Sequence, residues 1–254
     1  MYSYMLNKII SVAQTTEKLE KLIDELIAKS FVLKPDKVGT VKSCFFFGDY
    51  ALLREPYYKK NDLNAVIKIH AELKEKGVHL APIIYFKVVE HNPRGKYFYV
   101  LQEKALGEPL FEFEGSSEKM LSRYNTLLSN LAAEPLAFYE KFVSDYFEIR
   151  KAGLCLDIWT PGNFIYNKGK SITFIDINHL NPKLRAETEP DFSGCMVALS
   201  GGTAYQVYEK EEDINIKLAE IFRKLNTVFE NNGCSVVAIT ELIAKEYSRV
   251  YEKM

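Results

Sequence analysis

Apolar residues near the start of the chain recur at helical spacing. From Leu19 onward they stand at Leu19, Leu22, Ile23, Leu26 and Ile27, with polar residues between them. Spacings of three and four residues place these side chains on one face of an α-helix. The pattern therefore predicts an amphipathic helix within an N-terminal helical extension that covers residues 1–30.

Residues 31–104 change to short β-rich runs, FVL, VGTV, SCFFF and YALLR. The Gly48-Asp49 pair between the last two runs favours a tight hairpin, because both residues tolerate positive φ. The remaining predicted elements are a helix over 62–76 and strands over 82–90 and 96–104. This order predicts an antiparallel sheet with one helix, and it lacks the alternating βαβ units of a doubly wound dinucleotide-binding fold.

Beyond Gly107 the apolar spacing is mainly helical. Helices are predicted over 117–133, 135–153, 213–231 and 236–252. A second tight hairpin, FIYN-KGK-SITF, interrupts them. The chain is therefore predicted to be an α+β protein, with a small antiparallel β-rich lobe (31–104) and a larger helical lobe (105–254) that contains a loop and hairpin at 154–178.

Composition and charge exclude several classes of protein. The 254 residues carry 33 Lys and Arg against 34 Asp and Glu, so nucleic acid is not an expected partner. No window approaches 18 apolar residues and the N-terminus lacks the order of a signal peptide, so neither a membrane span nor secretion is expected. The four cysteines are far apart, which predicts no zinc site or disulfide and a cytoplasmic location. The 26 Lys against 7 Arg suggest an AT-rich genome, which is common in bacteria.

The candidate chemistry lies in GLCLDIWTPGNFIYNKGKSITFIDINHL, residues 153–180. A loop carries Asp157 and Asn163, and a hairpin then leads to Asp176 after the apolar run Ile172–Ile175. A tight hairpin between Asn163 and Asp176 can bring an amide oxygen close to a carboxylate. Both are hard oxygen ligands suited to Mg²⁺, which proteins usually hold with one or two groups plus phosphates and waters.

This stretch resembles the catalytic loop and metal-binding strand of the protein-kinase-like superfamily, especially the aminoglycoside and choline phosphotransferases. Their loop often reads G-L-x-H-G-D-L-H-P-G-N, and this chain matches it without a gap at Gly153, Leu154, Pro161, Gly162 and Asn163. Upstream, YFYVLQEKALGEPL looks like the fifth strand and hinge, and SCFFFGDYALLR looks like strands two and three. The resemblance spans residues 35–180 and implies a two-lobed protein-kinase-like fold.

The resemblance also implies site residues and two cofactors, ATP and Mg²⁺. Asn163 would correspond to the catalytic-loop Asn that binds magnesium, and Asp176 to the Asp of the DFG position. Asp157 would accept or position the proton of the acceptor hydroxyl.

For the nucleotide, the resemblance implies contacts between adenine and backbone groups around Glu103, Lys104 and Ala105. Arg54 stands in the register of the strand-three Lys and would orient the phosphates. Glu72 of the helix over 62–76 would be its ion-pair partner.

Three departures from the family pattern bear on activity. Arg54 replaces a Lys, and the two are not interchangeable at phosphate sites. Leu156 and Ile158 stand where the loop has His and Asp, so that Asp157 is one place early. A local bulge could still direct Asp157 to the acceptor; alternatively, Ile158 fills the catalytic position. The sequence after Asp176 lacks the DFG Gly, as is common in the phosphotransferase branch.

Each site residue also has a structural interpretation. Asp176 can cap the turn after its strand, Asn163 beside Pro-Gly can be an ordinary turn residue, and Asp157 can hydrogen-bond the loop. Glu72 can be a solvated helix charge.

Three functions follow from these observations. The first is an ATP- and Mg²⁺-dependent phosphotransferase acting on a hydroxyl of a small molecule or a protein. The second is a pseudokinase, a nucleotide- or partner-binding module without phosphoryl transfer. The third is a helical interaction protein whose resemblance to kinases is accidental.

Overall fold

The structure is a computed structural model that describes residues 16–38, 43–56, 63–91, 95–112, 115–158, 160–177, 192–202, 204 and 211–233. The helix predicted over 236–252 lies outside these residues. The chain forms two compact units, Met1–Lys76 with Ala81–Ala105, and Gly77–Leu80 with Leu106–Met254. Within the described ranges, none of the helices combines the length and the apolar character that crossing a membrane requires.

The first unit contains a five-stranded antiparallel sheet with strand order β1-β2-β3-β5-β4. Its elements are α1 (Thr16–Ser30), β1 (Lys37–Val38), β2 (Ser43–Phe47), β3 (Tyr50–Pro56), α2 (Leu63–Glu75), β4 (Ile83–His91) and β5 (Gly95–Glu103). The predicted antiparallel sheet, with a helix between its third and fourth strands, is confirmed.

The first predicted hairpin forms as expected. Phe47 and Tyr50 are paired across the turn, and Gly48 has a φ of 65°. A two-residue hairpin turn requires positive φ, which glycine adopts without steric cost.

Helix α1 covers one face of this sheet. Its buried side chains Leu22, Ile23, Leu26 and Ile27 pack in one cluster with sheet residues Phe45, Phe47, Tyr50, Leu52, Tyr99 and Leu101. On the helix's polar side, Lys87 Nζ lies 2.6 Å from Asp24 Oδ1, which ties α1 to β4. Burial against the sheet therefore explains the helical spacing from Leu22 to Ile27.

The run FVL, which the sequence indicated as β-rich, is a turn instead. The amides of Val32 and Leu33 both donate to the Lys29 carbonyl, at 3.0 and 3.1 Å, and Phe31 N donates to the Ala28 carbonyl. The last carbonyls of a helix need such partners, and here the following residues supply them.

The second unit is mainly helical and holds a three-stranded antiparallel sheet in the order β6-β7-β8. Its elements are β6 (Glu108–Pro109), α3 (Ser117–Ala133), α4 (Leu136–Lys151), β7 (Phe164–Asn167), β8 (Ser171–Phe174), α5 (Phe192–Leu199) and α6 (Glu212–Asn231). Helix α6 buries seven apolar residues along one side and contacts α3, α4 and α5. The hairpin β7-β8 forms as predicted, with Phe164 paired to Phe174.

Candidate functional site

The loop that carries Asp157 starts from a fixed point at the end of α4. Gly153 has a φ of 81°, and its amide donates to the Arg150 carbonyl at 2.8 Å. Leu154 follows, fully buried, with its amide bonded to the Ile149 carbonyl. A glycine in the left-handed region ends the helix, and the buried leucine anchors the start of the loop.

Within the loop, the Asp157 carboxylate is held by a neighbouring hydroxyl. Thr160 Oγ1 donates to Asp157 Oδ2 at 2.5 Å. Asn163 Nδ2 donates to the Asp157 carbonyl oxygen at 3.4 Å, and Asn163 N donates to the Thr160 carbonyl at 3.0 Å. Asp157 is exposed, whereas Ile158 is half-buried. The acid of this loop thus points to solvent with a fixed orientation.

Asn163 connects the loop to the residues that follow β8 and lead to Asp176. Its carbonyl accepts a hydrogen bond from Ile175 N at 2.9 Å. Asp176, the next residue, has a φ of 60°, and it is the sole non-glycine residue with positive φ in the described part of the chain. Left-handed backbone costs a non-glycine residue free energy, and such strain clusters at functional sites.

The side chains of Asn163 and Asp176 fit a magnesium ion chemically. Because Asn163 uses its amide nitrogen toward Asp157, its Oδ1 oxygen remains to accept. An amide oxygen and a carboxylate are hard ligands that, with nucleotide phosphates and waters, make up a typical Mg²⁺ sphere. Among the described residues, no group of three or more His, Cys, Asp and Glu could hold a metal.

A buried glutamate holds the hairpin that lies between these two residues. Glu134, between α3 and α4, accepts hydrogen bonds at Oε1 from Tyr166 Oη at 2.5 Å and from Gly169 N at 2.8 Å. Lys224 Nζ of α6 donates to the Glu134 carbonyl at 2.7 Å. Burial, reinforced by the bond to Glu134, raises the pKa of the Tyr166 hydroxyl, which therefore remains a donor at neutral pH.

A second buried acid supports β8, the strand that precedes Asp176. The Asp145 carboxylate is buried on α4 and lies 2.8 Å from His79 Nδ1 and 2.5 Å from Lys141 Nζ. The His79 carbonyl accepts from Phe174 N at 2.9 Å. The backbone that precedes Asp176 is thus fixed through contacts distant in sequence.

Replacing Glu134 should test this support. Glu134→Ala leaves the buried Tyr166 hydroxyl without its acceptor, which costs about 1–3 kcal/mol, whereas the exposed Gly169 amide can donate to water instead. Glu134→Gln keeps an acceptor oxygen in place and should cost less than about 1 kcal/mol. Urea unfolding of the two variants measures the difference. Equal losses for Ala and Gln would show that the hydrogen bonds at Oε1 do not support the hairpin.

In the first unit, backbone hydrogen bonds already use two amides of the predicted adenine-binding segment, Glu103 to Ala105. Glu103 N donates to the Pro82 carbonyl at 3.1 Å, and Lys104 N donates to the Asp49 carbonyl at 2.8 Å. The side chain of Glu103 pairs with Lys74. In this segment, no described backbone hydrogen bond uses the amide of Ala105.

The structure does not bring Arg54 and Glu72 together. The Arg54 guanidinium carbon lies 5.3 Å from the centroid of the Phe45 ring, and Arg54 also hydrogen-bonds Tyr99. Glu72 is exposed on α2, and the described contacts include no ion pair between it and Arg54. The physical reason is strand alternation: Arg54 shares its face with Leu52, and α1 covers that face.

Burial raises the pKa of Tyr99, and the neighbouring Arg54 guanidinium opposes that rise. Tyr99 also bonds Ser30, the last residue of α1. Arg54 therefore belongs to the packing between sheet and helix, a role that the sequence register did not indicate.

The sequence also did not single out Thr160 and Glu134 as residues of the candidate site. For Thr160, the spacing Asp-x-x-Thr was the available signal.

No protein-family model matches the sequence, and no curated protein matches it. Among solved structures, the chain is similar to the PAN3 pseudokinase of Neurospora crassa, at 12% identity and a TM-score of 0.39, with 80% of this chain covered. It spans 59% of that chain, and 56% of a mutant of the same pseudokinase.

A second similar structure is the amicoumacin kinase hAmiN in complex with AMP-PNP, Ca²⁺ and Ami, at 12% identity and a TM-score of 0.40, with 83% of this chain and 80% of that chain covered. A third is WaaP in complex with acyl carrier protein, at 11% identity and a TM-score of 0.40, with 89% and 91% covered. Both a pseudokinase and a kinase thus stand among the structures to which this chain is similar.

Proposed function

We propose that the protein is a kinase-like phosphotransferase that depends on ATP and Mg²⁺ and acts on a hydroxyl group of a small molecule or a protein. The observation that carries this proposal is Asp176. It is an acid in left-handed backbone two residues after β8, next to Ile175, whose amide donates to the Asn163 carbonyl. Asp tolerates left-handed backbone better than most residues do, and residues in this conformation are enriched at functional sites.

The proposed mechanism assigns one role to each residue of the candidate site. Asn163 and Asp176 hold Mg²⁺, which would neutralise charge on the phosphates when bound. Ala105 N donates to the adenine base. Asp157, oriented by Thr160, accepts the proton of the acceptor hydroxyl. Positioning and charge neutralisation are most of what phosphoryl transfer requires of a protein.

The metal site can be tested by thermal unfolding with ATP, with and without Mg²⁺. At a ligand concentration one hundred times the dissociation constant, binding stabilises the protein by about 2.7 kcal/mol. This corresponds to roughly 5–10 °C in Tm for a chain of this size. We expect ATP with Mg²⁺ to produce this shift, and ATP with a chelator to produce less.

Asp176→Asn should remove the metal-dependent part of that shift. Asn adopts left-handed backbone as readily as Asp does, so the variant tests the charge without adding the strain that Ala would add. The matched control is Asp213→Asn in the first turn of α6, which should respond like the wild type. An Asp176→Asn protein that still responds fully to Mg²⁺ would place the metal elsewhere.

The pseudokinase alternative is favoured by one observation, the position of Arg54. Its guanidinium packs on the face that α1 covers, so the strand-three cation expected at the phosphates is engaged elsewhere. Turnover of ATP with Mg²⁺ or Mn²⁺, measured with candidate hydroxyl acceptors, separates the two functions. Nucleotide-dependent stabilisation without any turnover would support the pseudokinase.

A further inference from the structure

The turn after α1 exposes three consecutive large apolar side chains. Phe31 is 43% exposed, Val32 82% and Leu33 50%. Single exposed apolar residues are common on protein surfaces, whereas a run of three exposed together is uncommon and is a candidate contact surface. We refer to Phe31, Val32 and Leu33 as the apolar tip.

The backbone amides of the apolar tip already have acceptors. The amides of all three residues donate to carbonyls in the last turn of α1, at 3.0–3.3 Å. Amides without partners would oppose transfer of this segment out of water, because a buried unpaired polar group is costly. The tip can therefore enter an apolar environment without exposing unpaired amides to it.

Positive charge surrounds the apolar tip. Lys29 precedes it, and Lys34 and Lys37 follow it, both of them exposed. The acid within this segment, Asp36, turns toward the sheet, because its Oδ2 accepts from Phe46 N at 2.7 Å. Three lysines against one aspartate leave a net charge of +2 on residues 28–38. The nearest acid on α1, Glu25, stands one turn before Lys29.

We propose that the apolar tip and its lysines form a docking surface for an anionic lipid bilayer. Apolar side chains that enter the headgroup region, together with lysines that pair with anionic lipids, are the two contributions that hold peripheral proteins on membranes. The charge of this surface complements such lipids, and its apolar side chains are adjacent and solvent-facing. The surface lies within the first unit and does not depend on the proposed phosphotransferase activity.

Flotation of the full-length protein with vesicles tests this proposal. We expect binding to vesicles of phosphatidylcholine with about one-third phosphatidylserine, and loss of binding at high salt. Binding to pure phosphatidylcholine should be much weaker. The proposal would be overturned if the wild-type protein bound neither kind of vesicle, or bound both kinds equally.

Two sets of variants separate the contributions. Lys34→Gln with Lys37→Gln should weaken binding about 25-fold, at about fivefold for each lysine near an anionic surface. Val32→Ser with Leu33→Ser should weaken it about tenfold or more, because the apolar side chains no longer enter the bilayer. The matched controls are Lys68→Gln on α2 and Val88→Ser on β4, which are exposed at other places of the same unit.

The same variants identify other occupants. If the wild type binds no vesicle but self-associates in sedimentation, and Val32→Ser with Leu33→Ser abolishes that association, the occupant is a second copy and the lipid proposal is wrong. If the wild type binds no vesicle but retains a protein partner, and the same variant abolishes that retention, the lipid proposal is equally wrong. Vesicle binding that survives both pairs of substitutions would place the lipid contact on another surface.

Discussion

Asp157→Asn should lower turnover by about 10²–10⁴-fold while Tm and nucleotide binding remain close to those of the wild type. Asn keeps an oxygen that can accept from Thr160, so the loop geometry at 2.5 Å is preserved. It cannot take a proton, and general-base catalysis is lost. Steady-state kinetics with a saturating acceptor, together with thermal unfolding, measure both quantities.

Thr160 provides a matched pair for the same experiment. Thr160→Val removes the hydroxyl with little change in shape, whereas Thr160→Ser keeps it. If Thr160 orients the Asp157 carboxylate, Val should lower kcat with little change in KM for ATP, and Ser should restore most of the activity. Turnover that is unchanged in Asp157→Asn would assign Asp157 a structural role, as would unfolding of that variant.

The hairpins and single helices could be predicted because the residues that specify each of them are close together in the sequence. The two hairpins are specified by short turns, at Gly48-Asp49 and around Gly169, between runs of β-forming residues. Likewise, helix α2 (Leu63–Glu75) matches the predicted helix over 62–76 to within one residue at each end. Such elements need no information about distant parts of the chain.

The environment of Arg54 could not be predicted in the same way. Alternation along a strand places Arg54 and Leu52 on one face, but the sequence does not say which face a helix will cover. That choice is made by α1, whose packing against Phe45 and Tyr99 fixes where the guanidinium lies. A register match to a family motif therefore located the residue without indicating what it contacts.

The candidate site likewise has residues that could be predicted from the sequence and residues that could not. Asp157, Asn163 and Asp176 could be singled out because they lie within one short stretch of sequence. Their support could not, since Glu134 contacts the hairpin from the segment between α3 and α4, and Asp145 of α4 acts on it through His79. Nothing in the sequence marks these two acids as buried, and only tertiary contacts give them their roles.

Gly107 gives the largest expected effect on stability. It precedes β6, which pairs with β7, and it has a φ of 128°. A Cβ at this position would lie 2.3 Å from the Tyr166 carbonyl oxygen and 2.8 Å from its carbonyl carbon. Because those atoms are backbone in the hairpin, they cannot move aside as the end of a flexible side chain could.

We expect Gly107→Ala to destabilise the protein by about 3–5 kcal/mol, from backbone overlap together with unfavourable φ. Gly169→Ala is the control, since Gly169 also has positive φ, 70°, but a Cβ there would meet nothing within 4 Å. It should cost about 1–2 kcal/mol, from the unfavourable backbone alone. Urea unfolding of both variants measures the difference. If Gly107→Ala were no less stable than Gly169→Ala, the close approach of Gly107 to Tyr166 would not constrain the hairpin, and the support of Asn163 and Asp176 from this side would be lost.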